Sequence, residues 1–117
     1  MSLAQDKYIT IERETRPVIV HFNDNILAST KDALILREGS YDPVYYIPKA
    51  HVAMEFLLPT ERHTTCPHKG VADYWTISAG GAAEENAVWG YTEPKADVAE
   101  IADHVAFYPS KVRIEVS

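Results

Sequence analysis

The chain has 117 residues, 46% of them hydrophobic and 24% charged, with a formal net charge of -6. That length suits one domain with a buried core, and the acidic balance excludes the basic surface that nucleic-acid binding relies on. A single cysteine excludes an internal disulfide and a four-cysteine zinc site.

No apolar run approaches the roughly 20 residues of a membrane helix, so no membrane is expected as a partner. The opening residues 1–7 lack the basic-then-apolar pattern of a signal peptide, and the expected location is the cytoplasm. Residues 1–15 read as a lead-in in which 8–11, rich in β-formers, predict a short edge strand; residues 16–117 read as a single β domain.

Val18–Phe22 is a firmer strand, β-branched and introduced by Pro17. Asn23, Asp24 and Asn25 tolerate left-handed backbone and predict a hairpin turn into residues 26–29. Another turn at 30–32 leads to a strand over 33–38, which together make a β-meander. Gly39 to Pro43 break the run before a strand over 44–47, which Pro48 stops. Pro48 then opens a single helical turn. Residues 52–58 alternate Val52, Met54 and Phe56 against Ala53 and Glu55, which favours a strand slightly over one helical turn.

Pro59 is expected to end that segment, leaving a loop over 60–70. Residues 71–79 form a strand closed by Gly80 and Gly81, and Glu84, Glu85 and Asn86 complete the hairpin connection to a strand over 87–91. Residues 97–104 suit a helical turn or irregular loop, and strands over 105–108 and 112–116 flank the Pro109-Ser110 turn. Many short strands and no helix of ten residues predict an all-β fold, a sandwich or open barrel of antiparallel sheets with short helical turns.

The chemistry concentrates in Thr64-Thr65-Cys66-Pro67-His68-Lys69-Gly70, followed by Ala72, Tyr74 and Trp75. Pro67 fixes its own φ and extends Cys66, and Gly70 permits positive φ or a close approach. Amides in such a turn converge on anions, and Lys69 adds a charge. From Arg62 to Ala72 there are four basic or titratable nitrogen side chains and no carboxylate, a local sign reversal in an acidic chain that points to a small anionic ligand. Cys66 is a candidate nucleophile or redox thiol, with Lys69 stabilising negative charge and His68 moving protons. The bland alternative is a small buried cysteine.

His63, Cys66 and His68 have ligand-like spacing, but a fourth ligand would have to come from His21, His51 or His104 by folding, and no metal is assigned. Glu38 is the candidate general acid or base; with Arg37 it otherwise reads as rim charge at a strand end. Of the neighbours Tyr45 and Tyr46, and of Tyr74 and Trp75, one of each packs inside while the other faces out. Trp89 and Tyr91 share a face and suit one wall of a cleft. Phe107 and Tyr108 read as packing residues. The candidate ligand-binding set is therefore Lys69, Gly70, Tyr74, Trp89 and Tyr91, with Arg37 and Tyr45 at its margin and no cofactor.

These residues also carry a family resemblance. Ala28-Ser29-Thr30, Leu36-Arg37-Glu38, Pro43-Val44-Tyr45-Tyr46-Ile47-Pro48, the Thr-x-Cys-Pro-x-Lys-Gly core, Trp89-Gly90-Tyr91 with Pro94, and Ala106-Phe107-Tyr108 resemble a bacterial family of domains of unknown function, numbered 427 and sometimes labelled nucleotidyltransferase-like. The resemblance runs from about Arg16 to Val116. It implies a compact β-tent, two antiparallel sheets splayed around a pocket. Relatives of that fold that bind zinc use two Cys-x-x-Cys pairs, which this chain lacks. Metal-dependent nucleotidyl transfer needs carboxylates spaced for magnesium, and there is no Asp-x-Asp pair; Asp24 and Asp32 sit in turns.

The sequence thus supports two readings. In the first, a small molecule binds between the sheets beside Cys66, His68 and Lys69, with or without a thiol-dependent step. In the second, the same turn braces the sheets and the domain is an interaction module for a protein partner or a second copy.

Overall fold

The computed structural model describes residues 8–117. Its ten strands are β1 (Ile9–Arg13), β2 (Val18–Phe22), β3 (Asn25–Thr30), β4 (Leu34–Glu38), β5 (Val44–Pro48), β6 (Leu57–Cys66), β7 (Gly70–Ala79), β8 (Ala82–Gly90), β9 (His104–Phe107) and β10 (Arg113–Val116). They form two antiparallel sheets, one of seven strands in the order β1-β4-β5-β9-β8-β7-β6 and one of three in the order β10-β2-β3. Short 3₁₀ turns at Lys49–His51, Met54–Phe56 and Ala96–Ile101 fill the connections. Among the described residues no helix is long and apolar enough to cross a membrane.

Local chemistry explains the tight hairpins. Asn23 and Asp24 take φ of 47° and 66°, the paired left-handed geometry of a two-residue turn that matches strand twist. Gly80 and Gly81 do the same at 62° and 80°. The Asn23 amide reaches across to the Gly80 carbonyl at 2.8 Å, tying the tip of one sheet to that of the other.

The expected edge strand is β1, paired with β4 alone. The expected meander stops after two strands. At 31–33 the chain crosses to the other sheet, where β4 pairs with β1 and β5. The crossover is pinned: the Thr30 hydroxyl accepts the Asp32 amide at 2.9 Å, and the Ala33 carbonyl accepts the Glu14 amide at 2.8 Å. Glu14 in turn binds the Arg16 side chain, so the β1–β2 and β3–β4 passages between sheets are fixed at one place.

Pro59 does not end a strand. β6 continues to Cys66, because it lies at the sheet edge, where a missing N–H is tolerated, and its ladder shifts register between Pro59 and His63. Glu84 to Asn86 likewise stay in β8 as a bulge: Asn86 takes φ of 52°, and Thr60 Oγ1 donates to its side-chain oxygen at 2.7 Å. Over 52–56 the alternation marks packing rather than a strand, and Leu57 and Leu58 already belong to β6. Val52 bridges Ala28, and Met54 and Phe56 lie against the core from a 3₁₀ turn.

The seven-stranded sheet separates two cores. Its inner face meets the three-stranded sheet through Ile47, Trp75, Ile77, Val88, Val105 and Phe107, packed on Val18, Val20 and Leu27. Its outer face carries Leu36, Tyr46, Ala72, Tyr74, Tyr91 and Ala106, roofed by Val98 and Ile101 of the last 3₁₀ segment. Neighbours along a strand go to opposite cores, as a period of two demands.

Candidate functional site

β6 and β7 close on the pair Cys66 and Gly70, with 67–69 as the turn. Here the Lys69 amide donates to the Cys66 carbonyl at 3.2 Å, so the N–H expected to face an anion closes the turn instead. Gly70 has φ of 115°, which strains any side chain, and an added Cβ would stand 3.4 Å from the Glu93 carbonyl. The Lys69 carbonyl accepts the Lys95 amide at 3.0 Å. This clamp fixes the hairpin tip against 93–95 and sends the Lys69 side chain inward.

Lys69 is buried, and its ammonium donates to Glu38 Oε1 at the end of β4. The side chains are 11% and 15% exposed, too buried for an ordinary surface pair. The ammonium also lies 6.0 Å from the Tyr91 ring centroid. Burying two charges costs several kcal/mol per ion before their attraction offsets it, so apolar residues of similar size hold a fold as well.

The pair borders a cavity of about 220 Å³ on the outer face of the large sheet. Leu36 and Val44 form its aliphatic side, and Tyr46, Tyr74, Trp89, Tyr91 and Tyr108 supply rings. Tyr41 and Asp42 are exposed at its mouth. This cavity does not lie between the two sheets: its walls come from the outer core, whereas the inner face packs on the smaller sheet.

The rings are held by one another. Trp89 Nε1 donates to the Tyr46 hydroxyl at 3.3 Å, and the Trp89 ring meets Tyr46 edge-on, centroids 6.4 Å apart at 84°. Tyr108 lies against the same indole at 4.4 Å. Burial pushes the Tyr46 and Tyr91 hydroxyls well above the ordinary phenol range. Burial alone would also raise Tyr74, but hydrogen bonds with Thr64, Tyr108 and Arg62, and the Arg62 charge, together bring it below that range. The Thr64 hydroxyl is 2.9 Å away, and the Arg62 guanidinium sits 5.0 Å from the ring centroid. Tyr108 goes up, through burial and its bond to Tyr74.

Of the sequence candidates, Glu38, Lys69, Tyr74, Trp89 and Tyr91 line this one cavity. Cys66 is half-buried and packs against the outer core without lining the cavity. His68 is exposed and lies over Tyr8, centroids 5.0 Å apart, beside a different hollow with Asp97 and Glu100. Arg37 points to the opposite face and pairs with Glu12 at 3.2 Å. Tyr45 also faces the other way, and Gly70 acts through the turn. The sequence reading passed over Tyr46 and Tyr108 as cavity residues. No signal in the sequence marks Tyr46: its face follows from the register of β4 and β5, in which Leu36 pairs with Val44 and Leu34 with Tyr46.

The histidines are dispersed. His63 pairs with Asp73 at 3.0 Å, His21 with Glu115 at 2.8 Å, and His51 Nδ1 meets Thr30 Oγ1 at 2.6 Å. Among the described residues no three His, Cys, Asp or Glu side chains gather as metal ligands would.

Fold and site together define a mainly β domain of two antiparallel sheets with an aromatic cavity and a buried ion pair on the outer face of the larger sheet. The family described as a domain of unknown function (DUF427) matches residues 10–117, nearly the whole chain, and the protein belongs to that family. The nucleotidyltransferase label comes from the name of that family. No curated protein matches the chain at a significant level.

Proposed function

We propose that this domain binds a small molecule in the outer cavity, with Lys69 and Glu38 as the polar contacts and the tyrosines and Trp89 as walls. One observation carries the reading. Among the described residues the Lys69–Glu38 pair makes only its mutual hydrogen bond, and no buried side-chain polar atom goes without a partner. Both residues line the cavity, so the remaining ammonium hydrogens and Glu38 Oε2 are the polar groups it offers a ligand. Together they offer a donor beside an acceptor, the complement of a carboxamide, a urea or a heterocycle edge. A flat ring attached to such a head suits walls of phenol and indole.

An anion is the other occupant consistent with the basic run around Lys69. It gains Lys69 only by displacing Glu38. The test is calorimetric titration with benzamide, benzoate and benzylamine. Benzamide is expected to bind, and the paired replacement Glu38→Leu with Lys69→Met to abolish binding while keeping a cooperative unfolding transition. Binding of benzoate alone would replace the donor–acceptor reading by the anionic one.

A thiol-dependent step extends this proposal only if the site reaches Cys66. Iodoacetamide labelling of Cys66 with and without benzamide decides: protection brings the sulfur into the site, and an unchanged rate leaves it in the wall. Silence of the cavity toward all three probes, with concentration-dependent sedimentation, would turn the reading toward an interaction module. The long β6 edge offers little to such a partner, since Pro59, the register shift and the charges of Glu61 and Arg62 interrupt it.

A further inference from the structure

β5 and β9 are joined by two residue pairs only, Ile47 with Val105 and Pro48 with His104. Toward Val44 and Tyr108 the ladder does not continue, although β9 stays with β8, where the Tyr108 amide donates to the Ala87 carbonyl at 3.0 Å. The large sheet is therefore split at this end. A second cavity, also of about 220 Å³, lies at the split. Tyr45, Phe107, Pro109, Ile114 and Val116 line it, and it shares Val44 and Trp89 with the tyrosine cavity. Its walls are rings and hydrocarbon, with no charged side chain, and Tyr45, Ile114 and Val116 are only partly covered.

We infer that the two cavities are two compartments of one site and that the ligand is amphipathic. Its polar head takes Lys69 and Glu38, its ring lies on Trp89, and a short apolar chain passes the unpaired ends of β5 and β9 to lie against Ile114 and Val116. The observation behind this is the shared wall. One indole and one valine border both a polar chamber and an apolar one, at the place where the sheet leaves off pairing. Apolar surface left partly open between two sheets is stabilised by whatever hydrocarbon covers it, and each methylene covered is worth about fourfold in affinity. This inference rests on the binding proposed for the tyrosine cavity, and it adds the chemical class of the ligand.

The test is a set of three probes, benzamide, 4-butylbenzamide and butylbenzene, titrated calorimetrically against the full chain. The butyl group is expected to raise the affinity of benzamide by at least tenfold, and butylbenzene to bind more weakly than 4-butylbenzamide. In Ile114→Asn the ratio of the two benzamide affinities is expected to collapse toward one. Should that variant unfold more readily, Val116→Thr, of the same shape, is used for the same ratio. If benzamide binds and the butyl group adds nothing, weakens binding, or keeps its gain in both variants, the two-compartment inference is wrong while the head site stands. If benzamide and 4-butylbenzamide both fail to bind, the head site itself is wrong.

Discussion

The two faces of the seven-stranded sheet are built from the same strands and bury different things. On the inner face Ile47, Trp75, Ile77 and Val88 meet hydrocarbon from the smaller sheet. On the outer face their neighbours Tyr46, Tyr74 and Trp89 gather hydroxyls, an indole N–H and an ion pair around open space. The difference teaches how one sheet divides its burial: an apolar core holds the fold, and the face one residue out of phase carries polar groups whose cost it offsets.

Breaking the inner face is expected to cost most. Ile77→Ala removes a fully buried side chain between the sheets and should destabilise the domain by about 2–5 kcal/mol in denaturant unfolding, with no specific effect on the outer cavity. On the outer face Lys69→Met alone strands the Glu38 carboxylate. Such losses run at about 3–5 kcal/mol for fully buried pairs, and the residual exposure here places the expected loss at or below about 3 kcal/mol. Adding Glu38→Leu should restore most of it, a result that a double-mutant cycle reads directly and that no inner-face pair would give.

A smaller effect separates the two faces more finely. Tyr46→Phe removes the acceptor of the Trp89 N–H and should cost about 1 kcal/mol while loosening the cavity wall, seen as a changed indole fluorescence. The last prediction concerns the hinge between the sheets and is read as a slope. Hydrogen bonds from the Arg16 side chain and amide hold the Glu14 carboxyl at about 2, below its ordinary 4.5. A depressed carboxyl stabilises the fold above its unfolded value and loses that contribution as pH falls toward the folded one. Stability should therefore drop between about pH 4.5 and 2, and less steeply in Glu14→Gln, as measured by urea unfolding across that window.

The strands were legible in the sequence because β-branched runs and Asn, Asp, Gly and Pro turns act locally. Which face each residue takes was not. Strands buried on both sides read as continuous apolar runs, so alternation cannot say whether Tyr45 or Tyr46 reaches the site. The answer is set by pairing with β4, a tertiary fact. The same holds for Arg37 and Glu38, where only the latter meets Lys69. Edge position explains the other surprises, since Pro59 breaks a central strand but is accommodated in β6. The turn that carries Lys69 aims only one of its three reactive side chains into the cavity. His68 and Cys66 diverge because Cys66 ends β6 while His68 lies in the turn that reverses the chain.

The central claim is that the outer cavity, held by Lys69 and Glu38, receives a small molecule with a donor–acceptor head. Its most direct test is chemical-shift mapping of the isotope-labelled chain with benzamide. Saturable shifts at Leu36, Glu38, Lys69, Trp89 and Tyr91, lost in the Glu38→Leu and Lys69→Met double variant, are expected. Shifts confined to the inner face or to the β6 edge, or none at all at millimolar probe, would contradict it.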